Sequence, residues 1–490
     1  MITIQFGNRE FLNEIFPLVK SFFPGEEVVV TDEVVDEVVD EAVEEVRVRI
    51  SLLYLVGAIV IRLNGEEGVC KEVTVPRNSA DRMETKNECK RTVYRLLAEY
   101  TQRQLPWGSL TGIRPTKIAL SMLMDGHRNV EIAARMREEY LVSKEKTALA
   151  VAIANRELHI LKDIDYVEGY SMYVGIPFCP STCLYCSFTS YPISGWENRI
   201  EEYLQALFRE INGVSEMCGH KKLNSVYMGG GTPTTLTPDQ MDRLLTRLEE
   251  RFSYEHLLEF TVEAGRPDSI SREKLRVLRS HGISRISVNP QTMNQKTLDV
   301  IGRRHTVEQT VEAFYMAREL GFDNINMDII MGLPGEGAEE VAHTLEVLKE
   351  LDPDNITVHS LAIKRAARLN MFREEYRDLK IENTEEIMNL AADTARDMGM
   401  EPYYLYRQKN MAGNFENVGY AKVDKAGIYN ILMMEEMQTI MALGAGSVSK
   451  LVVPSQNRIE RCGNVKDVPT YIGRIEEMLE RKRNLLADGV

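Results

Sequence analysis

Three cysteines, Cys179, Cys183 and Cys186, share one short stretch in the pattern Cys-x3-Cys-x2-Cys, with no fourth cysteine or histidine close behind. A metal closed off by protein needs four ligands. Three thiolates on a four-iron cluster leave one iron open, where a small molecule can bind and take an electron. The same spacing also suits a zinc knob or a redox pair. The chain has seven cysteines. An odd number with three in one loop is not a disulfide layout, so a reducing, cytoplasmic setting is expected. Cys70, Cys89, Cys218 and Cys462 read as ordinary packed thiols.

The loop hangs from an apolar run, Ser171 to Ile176, that reads as a strand broken at Pro177. From there strands alternate with helices. Strands are expected at Ser225 to Met228, Leu258 to Glu263, Arg285 to Val288, Asn324 to Ile330 and Asn355 to His359. The intervening helices are Glu197 to Met217, Pro238 to Arg251, Ser271 to Ser280, Gln295 to Ile301, Val307 to Leu320 and Ala338 to Leu351. That rhythm predicts an α/β fold, a parallel sheet with helices outside, in the form of a partial (β/α)6 barrel over residues 166–380.

In such barrels chemistry sits at the C-terminal ends of the strands, and the unusual residues fall there. The cysteine loop follows the first strand and Gly229-Gly230-Gly231-Thr232-Pro233-Thr234 the second. Glu263 ends the third, Asn289-Pro290-Gln291 follows the fourth, Asp328 lies near the end of the fifth, and Ser360-Leu361-Ala362 follows the sixth. The glycine run lets backbone approach a ligand closely, and it has neither the P-loop nor the dinucleotide spacing.

Residues 1–165 read as a separate α+β domain. Strands are expected at Ile2 to Phe6 and Val28 to Val30, a helix at Phe11 to Phe22, and a hairpin within Val46 to Leu63 turning near Gly57 or Asn64-Gly65. Helical periodicity follows Pro76, interrupted by a Trp107 island with Arg114 and Lys117. Asp32 to Glu45 is a charged, solvated run. Residues 381–490 are expected to form a mostly helical cover over the barrel mouth. Within it Gly444-Ala445-Gly446-Ser447 forms a turn, and Met433, Met434, Met437 and Met441 are spaced as a helix core. A net charge of −15 argues against broad nucleic-acid binding. The longest apolar run, Leu52 to Ile61, is far short of the ~20 residues that span a bilayer.

The cysteine triad resembles that of the radical S-adenosylmethionine (SAM) superfamily. Beyond it, Tyr173-x-x-Ile176-Pro177-Phe178-Cys179, Gly229 to Thr234, Gln291-Thr292-Met293-Asn294, Arg303-x-His305 and Asp328-x-x-x-Gly332-Leu333-Pro334 are similar to oxygen-independent coproporphyrinogen III dehydrogenases. The added N-terminal domain and Tyr403 to Asn410 resemble the HemZ-type branch. The resemblance implies a radical SAM barrel in which Cys179, Cys183 and Cys186 hold a [4Fe-4S] cluster, with Tyr173 and Tyr185 beside it. SAM would be contacted by Gly230, Gly231, Thr232, Glu263, Gln291, Arg303, Asp328 and Ile330, with Ala362 at its adenine. In chemical terms, Glu263 can accept from the methionine ammonium, Arg303 can clasp its carboxylate, and Gln291 and Asp328 suit ribose hydroxyls.

The implied reaction turns two propionates of coproporphyrinogen III into vinyl groups. It needs a low-potential electron donor such as flavodoxin or ferredoxin and leaves room for a second SAM. A monomer is expected. For this anionic tetrapyrrole the candidate cations are Lys364, Arg365, Arg368, Arg407 and Lys409. Two departures from the pattern matter. Phe188 stands where the best-known branch has another cysteine, a feature shared with a haem-chaperone relative. That relative carries a His-Asn pair which here is Gly427-Ile428-Tyr429-Asn430, and no histidine follows His359.

Overall fold

The computed structural model describes residues 1–32, 46–78, 80–112, 114–186, 190–218, 221–362, 369, 380–408, 411–456 and 458–487. The charged run at 33–45 lies outside them. The chain divides into two units, Met1–Asn155 and Arg156–Val490. The division falls inside the helix Lys144–Leu161, ahead of the expected boundary at 165. Arg156 explains the position: its guanidinium donates to the carbonyls of Glu401, Ala421 and Lys422 in the second unit.

The first unit is a five-stranded sheet in the order β2-β1-β3-β4-β5. Its strands are β1 (Ile2–Phe6), β2 (Val28–Thr31), β3 (Val48–Leu55), β4 (Ala58–Asn64) and β5 (Cys70–Pro76). The expected hairpin is β3–β4, turning at Gly57, while the alternative position, Gly65, lies in the connection from β4 to β5. Strand β5 was not expected, since its residues are mostly exposed and show no apolar alternation. The helix Leu12–Phe22 buries Ile15, Leu18, Val19 and Phe22 in the same core as Ile2, Ile4 and Phe6. Trp107 is fully buried, as a loop plug would be.

The second unit carries an eleven-stranded sheet and a two-stranded pair. After β6 (Gly169–Ile176) come the short β7 (Phe178–Cys179) and β8 (Tyr191–Pro192), which pair with each other. Then follow β9 (Lys222–Gly230), β10 (Glu259–Gly265), β11 (Arg285–Val288), β12 (Ile325–Met331) and β13 (Asn355–Ser360). The order β13-β12-β11-β10-β9-β6 is parallel throughout. Strands buried on both faces, such as β11, need covering helices. Each is delivered by local sequence signals; Thr237-Pro238-x-Gln240, for example, forms a capping box with Pro238 at the first helical position.

Residues 381–490 depart from the expected mostly helical cover. They supply β14 (Glu401–Tyr406), β15 (Asn417–Ala421), β16 (Thr439–Leu443), β17 (Val448–Val453) and β18 (Arg458–Gly463) as well as helices. All five strands join the barrel sheet. β15 and β14 extend it antiparallel beyond β13, and β16 runs parallel beside β6 with β17 and β18 outside. These strands satisfy the backbone groups that both barrel edges would otherwise expose. The methionine series is split: Met433 and Met434 end the helix Ile428–Met434, whereas Met441 lies in β16. The Gly444 to Ser447 turn is present, linking β16 to β17.

Candidate functional site

Pro177 ends β6 and starts the cysteine loop, whose base is pinned by backbone bonds. Gly231 N donates to Ile176 O at 2.7 Å, Thr232 N to Phe178 O at 2.7 Å, and Tyr191 N to Pro177 O at 2.8 Å. Phe178 packs edge-on against Tyr203 at 5.3 Å. The glycine run is required by this proximity. A Cβ on Gly231 would stand 2.5 Å from Phe178 O, and one on Gly229 3.0 Å from the Glu263 carboxyl, while Gly230 has φ +111°.

A cavity of about 790 Å³ opens above the strands. It is lined by Tyr173, Cys179, Cys183, Tyr185, Cys186, Gly230, Gly231, Thr232, Glu263, Gln291, Arg303, Asp328, Ile330 and Ala362. The candidate cluster and SAM residues thus share one cavity. Arg407 does not line it. Its guanidinium donates to the Asn414 carbonyl at 3.0 Å and to Oδ1 at 2.7 Å, and its neighbours Tyr406 and Gln408 face the cavity instead. Lys364, Arg365, Arg368, Lys409 and Phe188 lie outside the described residues.

The thiols sit in a polar frame. Thr232 Oγ1 is 3.5 Å from Cys179 Sγ, and Arg266 Nη1 is 3.8 Å from Cys183 Sγ. Arg266 also donates to Ser181 Oγ at 2.7 Å while Asp268 holds its other edge. Burial pushes the Cys179 thiol up to about 11, the Thr232 bond pulls the other way, and Cys186 and Cys183 add to the rise. Among the described residues no disulfide joins the cysteines, and no three His, Cys, Asp or Glu side chains stand gathered closely enough to chelate a single ion. The donor set fits a cluster held by three soft ligands with one iron open. It consists of three thiols on one wall, with glycine backbone beside them where side chains would collide.

Across the cavity, Glu263 accepts from Tyr227 OH at 2.5 Å. Burial pushes its carboxyl up to about 7; Tyr227's bond opposes this, Asp328 reinforces it, and His359 and Arg285 oppose it. Burial would raise Asp328 too, but His359, Asn326 and Thr357 hold it below the ordinary carboxylate value. Asn326 Nδ2 is 2.7 Å from Asp328 Oδ1, and His359 Nε2 is 3.6 Å from Oδ2. Gln291 adopts φ +70°, unusual for a side chain of its size, and is locked there by Gln291 N to Asp328 O and Ile330 N to Gln291 O, both 2.9 Å. Among the described residues its buried Oε1 has no partner, and neither does Arg303 Nε. Both are groups that a polar ligand would satisfy.

Tyr227, His359, Arg266, Arg285, Asn326 and Thr357 line the cavity without having been expected there. A signal existed: Asn326 precedes Asp328, and Thr357 precedes His359, at the two-residue period of one strand face.

Residues 173–348 match the radical SAM superfamily model. The chain is 40% identical over 403 residues to the oxygen-independent coproporphyrinogen-III oxidase-like protein HemZ of Bacillus subtilis, covering 81% of this chain and 80% of that one. It is 36% identical over 195 residues to the heme chaperone HemW of Bacillus subtilis, over 40% of this chain and about half (51%) of the relative. Among solved structures, coproporphyrinogen III oxidase HemN of Escherichia coli superposes with a TM-score of 0.51 at 22% identity, over 65% of this chain and 72% of that one. With the triad, the glycine cradle and the parallel barrel in one unit, the chain belongs to the radical SAM superfamily, in the family of HemZ.

Proposed function

We propose that this protein converts coproporphyrinogen III to protoporphyrinogen IX by oxidative decarboxylation of two propionates. The observation that carries this reading is the charge of the cavity wall. Among the described residues, Arg266, Arg285, Arg303, Lys450 and Arg461 line it with two carboxylates, Glu263 and Asp328, in a chain whose net charge is −15. A cationic pocket in an acidic protein selects a multiply anionic ligand. Met433, Met434, Ile440 and Val448 on the same wall suit its apolar body.

Cys179, Cys183 and Cys186 would hold the [4Fe-4S] cluster. With SAM bound, the cluster supplies a carbon radical able to take an unactivated hydrogen from the β-carbon of a propionate. The chain itself orients and shields. Glu263 accepts from the methionine ammonium, Arg303 holds the methionine carboxylate, and Asp328 and Gln291 meet the ribose. The stacked rings of Tyr173, Tyr227 and Tyr429, at 6.2 and 4.7 Å, wall off water. Each propionate then loses carbon dioxide and one electron, the electron going to an external one-electron acceptor, and a vinyl group is left.

The test is anaerobic incubation of cluster-reconstituted protein with SAM, a reductant, an electron acceptor and coproporphyrinogen III, followed by mass spectrometry. Loss of two carboxyl groups, abolished in Cys183→Ser, is the expected result. Unchanged tetrapyrrole alongside stoichiometric haem binding would replace this function with a carrier role like that named for HemW.

A further inference from the structure

Of the five cations on the cavity wall, four are engaged. Arg266 is held by Asp268 and Ser181, Arg303 donates to the Asn289 carbonyl, and Lys450 and Arg461 both meet Glu436. Arg285 is not. It opens β11, two residues before Ser287 and so deeper in the sheet than the rim formed by Asn289 and Gln291. It is 2% exposed, and its Nε and Nη2 have no hydrogen-bond partner among the described residues. Glu259 contributes favourable charge, but its oxygens accept from Ile428 N at 2.6 Å, Tyr429 N at 3.4 Å and Thr261 Oγ1 at 3.0 Å. No ion pair to Arg285 forms among the described residues.

Buried guanidinium N–H groups without hydrogen-bond acceptors are costly even where Glu259 and the neighbouring tyrosines favour the charge, and on a cavity wall an anion can supply the missing acceptors. The identity of the two idle donors narrows the anion. Nε–H and Nη2–H lie along the same edge of the planar fork, the edge that meets both oxygens of a carboxylate in parallel bonds. Arg303 is the candidate for the methionine carboxylate on the cysteine side of the cavity, so a second carboxylate is needed here. Tyr429, Met433 and Met434 line the same cavity and offer flat and pliable apolar surface.

We propose that Arg285 is a carboxylate subsite, receiving one propionate of the substrate while the tetrapyrrole ring rests on Met433, Met434 and Ile440. This rests on the tetrapyrrole reading above and deepens it, because it gives the ligand an anchor below the rim.

The test is a fluorescence titration of coproporphyrin III into anaerobically reconstituted wild-type protein, Arg285→Gln and Arg285→Lys, with S-adenosylhomocysteine titrated in parallel. Thermal melts confirm folding. Arg285→Gln is expected to weaken coproporphyrin roughly 10- to 100-fold. Arg285→Lys, which keeps the charge without the fork, should weaken it less. S-adenosylhomocysteine should bind all three alike at about pH 9, where Glu263 is ionised with or without Arg285. Should Arg285→Gln fail to fold, the lysine variant carries the comparison. Unaltered coproporphyrin binding in a folded variant would overturn the subsite. So would weakened S-adenosylhomocysteine alone, which would assign the carboxylate to methionine. Wild-type protein that takes no coproporphyrin would instead sink the tetrapyrrole reading, and the subsite with it.

Discussion

Two buried cations in the same unit make opposite use of burial. Lys482 has no exposed side-chain surface, and every polar group around it is answered. Its Nζ is 2.7 Å from Glu210 Oε1 and 2.6 Å from Asn464 Oδ1, and Glu210 Oε2 takes Gly444 N at 2.7 Å and Tyr471 OH at 2.6 Å. That network ties the helices Ile200–Cys218 and Ile475–Ala487 to the Gly444 turn. Arg285 is nearly as deeply buried, and its Nε and Nη2 have no hydrogen-bond partner among the described residues. Hydrogen-bond satisfaction, more than charge or depth, separates scaffold from site here. A saturated network fixes a shape, and an unsaturated one reserves a place.

The sharpest way to break this contrast is to remove each charge. Lys482→Met leaves Glu210 buried without its cation and should cost about 3–5 kcal/mol in urea unfolding. Adding Glu210→Gln should recover part of that loss. Arg285→Met breaks no ion pair or hydrogen bond among the described residues and takes from Glu259 only a favourable neighbouring charge, so its cost should stay well below that of Lys482→Met, at about 1 kcal/mol. Equal losses at both positions would erase the distinction.

A second contrast is steric. The Gly231 Cβ position is occupied by Phe178 backbone, which cannot move without carrying Cys179 with it. Gly231→Ala should therefore cost about 1–3 kcal/mol and lower the iron retained after reconstitution. Gly473→Ala meets no atom within 4 Å and should shift stability by less than about 1 kcal/mol. Matching melts and iron contents for the two variants would show that the cradle is not built by close approach.

How far the sequence anticipates this depends on what positions each residue. The six barrel strands are legible because parallel strands buried on both faces are apolar runs punctuated by polar ends, and the candidate cofactor residues are legible because they are those ends. Strands β14 to β18 are not, since long-range pairing decides their place; Thr439 lies beside Tyr170 only once the chain has returned to the opposite barrel edge. Arg407 was expected at the cavity, but Tyr406 and Gln408 point there, and the residue between two inward ones faces away. Arg285 escaped notice for a related reason: it begins a strand, and attention to strand ends overlooks the floor.

Glu263 lies between the two extremes, with Tyr227 its one hydrogen-bond partner and its carboxyl pushed up to about 7, chiefly by burial. A carboxyl raised on folding favours the protonated form, so its contribution to stability is best at low pH. It declines as pH rises from the ordinary carboxyl value to about 7, then stays level. Ligand binding runs the other way. If Glu263 must be charged to accept from an amino-acid ammonium, S-adenosylhomocysteine affinity should fall by about tenfold for each unit below pH 7 and level off above it. Asp328, His359, Arg285 and Tyr227 all bear on this carboxyl, so the control is Glu263→Gln, which leaves them in place. That variant should bind weakly at every pH, with a flat profile, and should be more stable than wild type above pH 7. A pH slope that survives in Glu263→Gln would move the titrating group elsewhere and leave Glu263 with the scaffold.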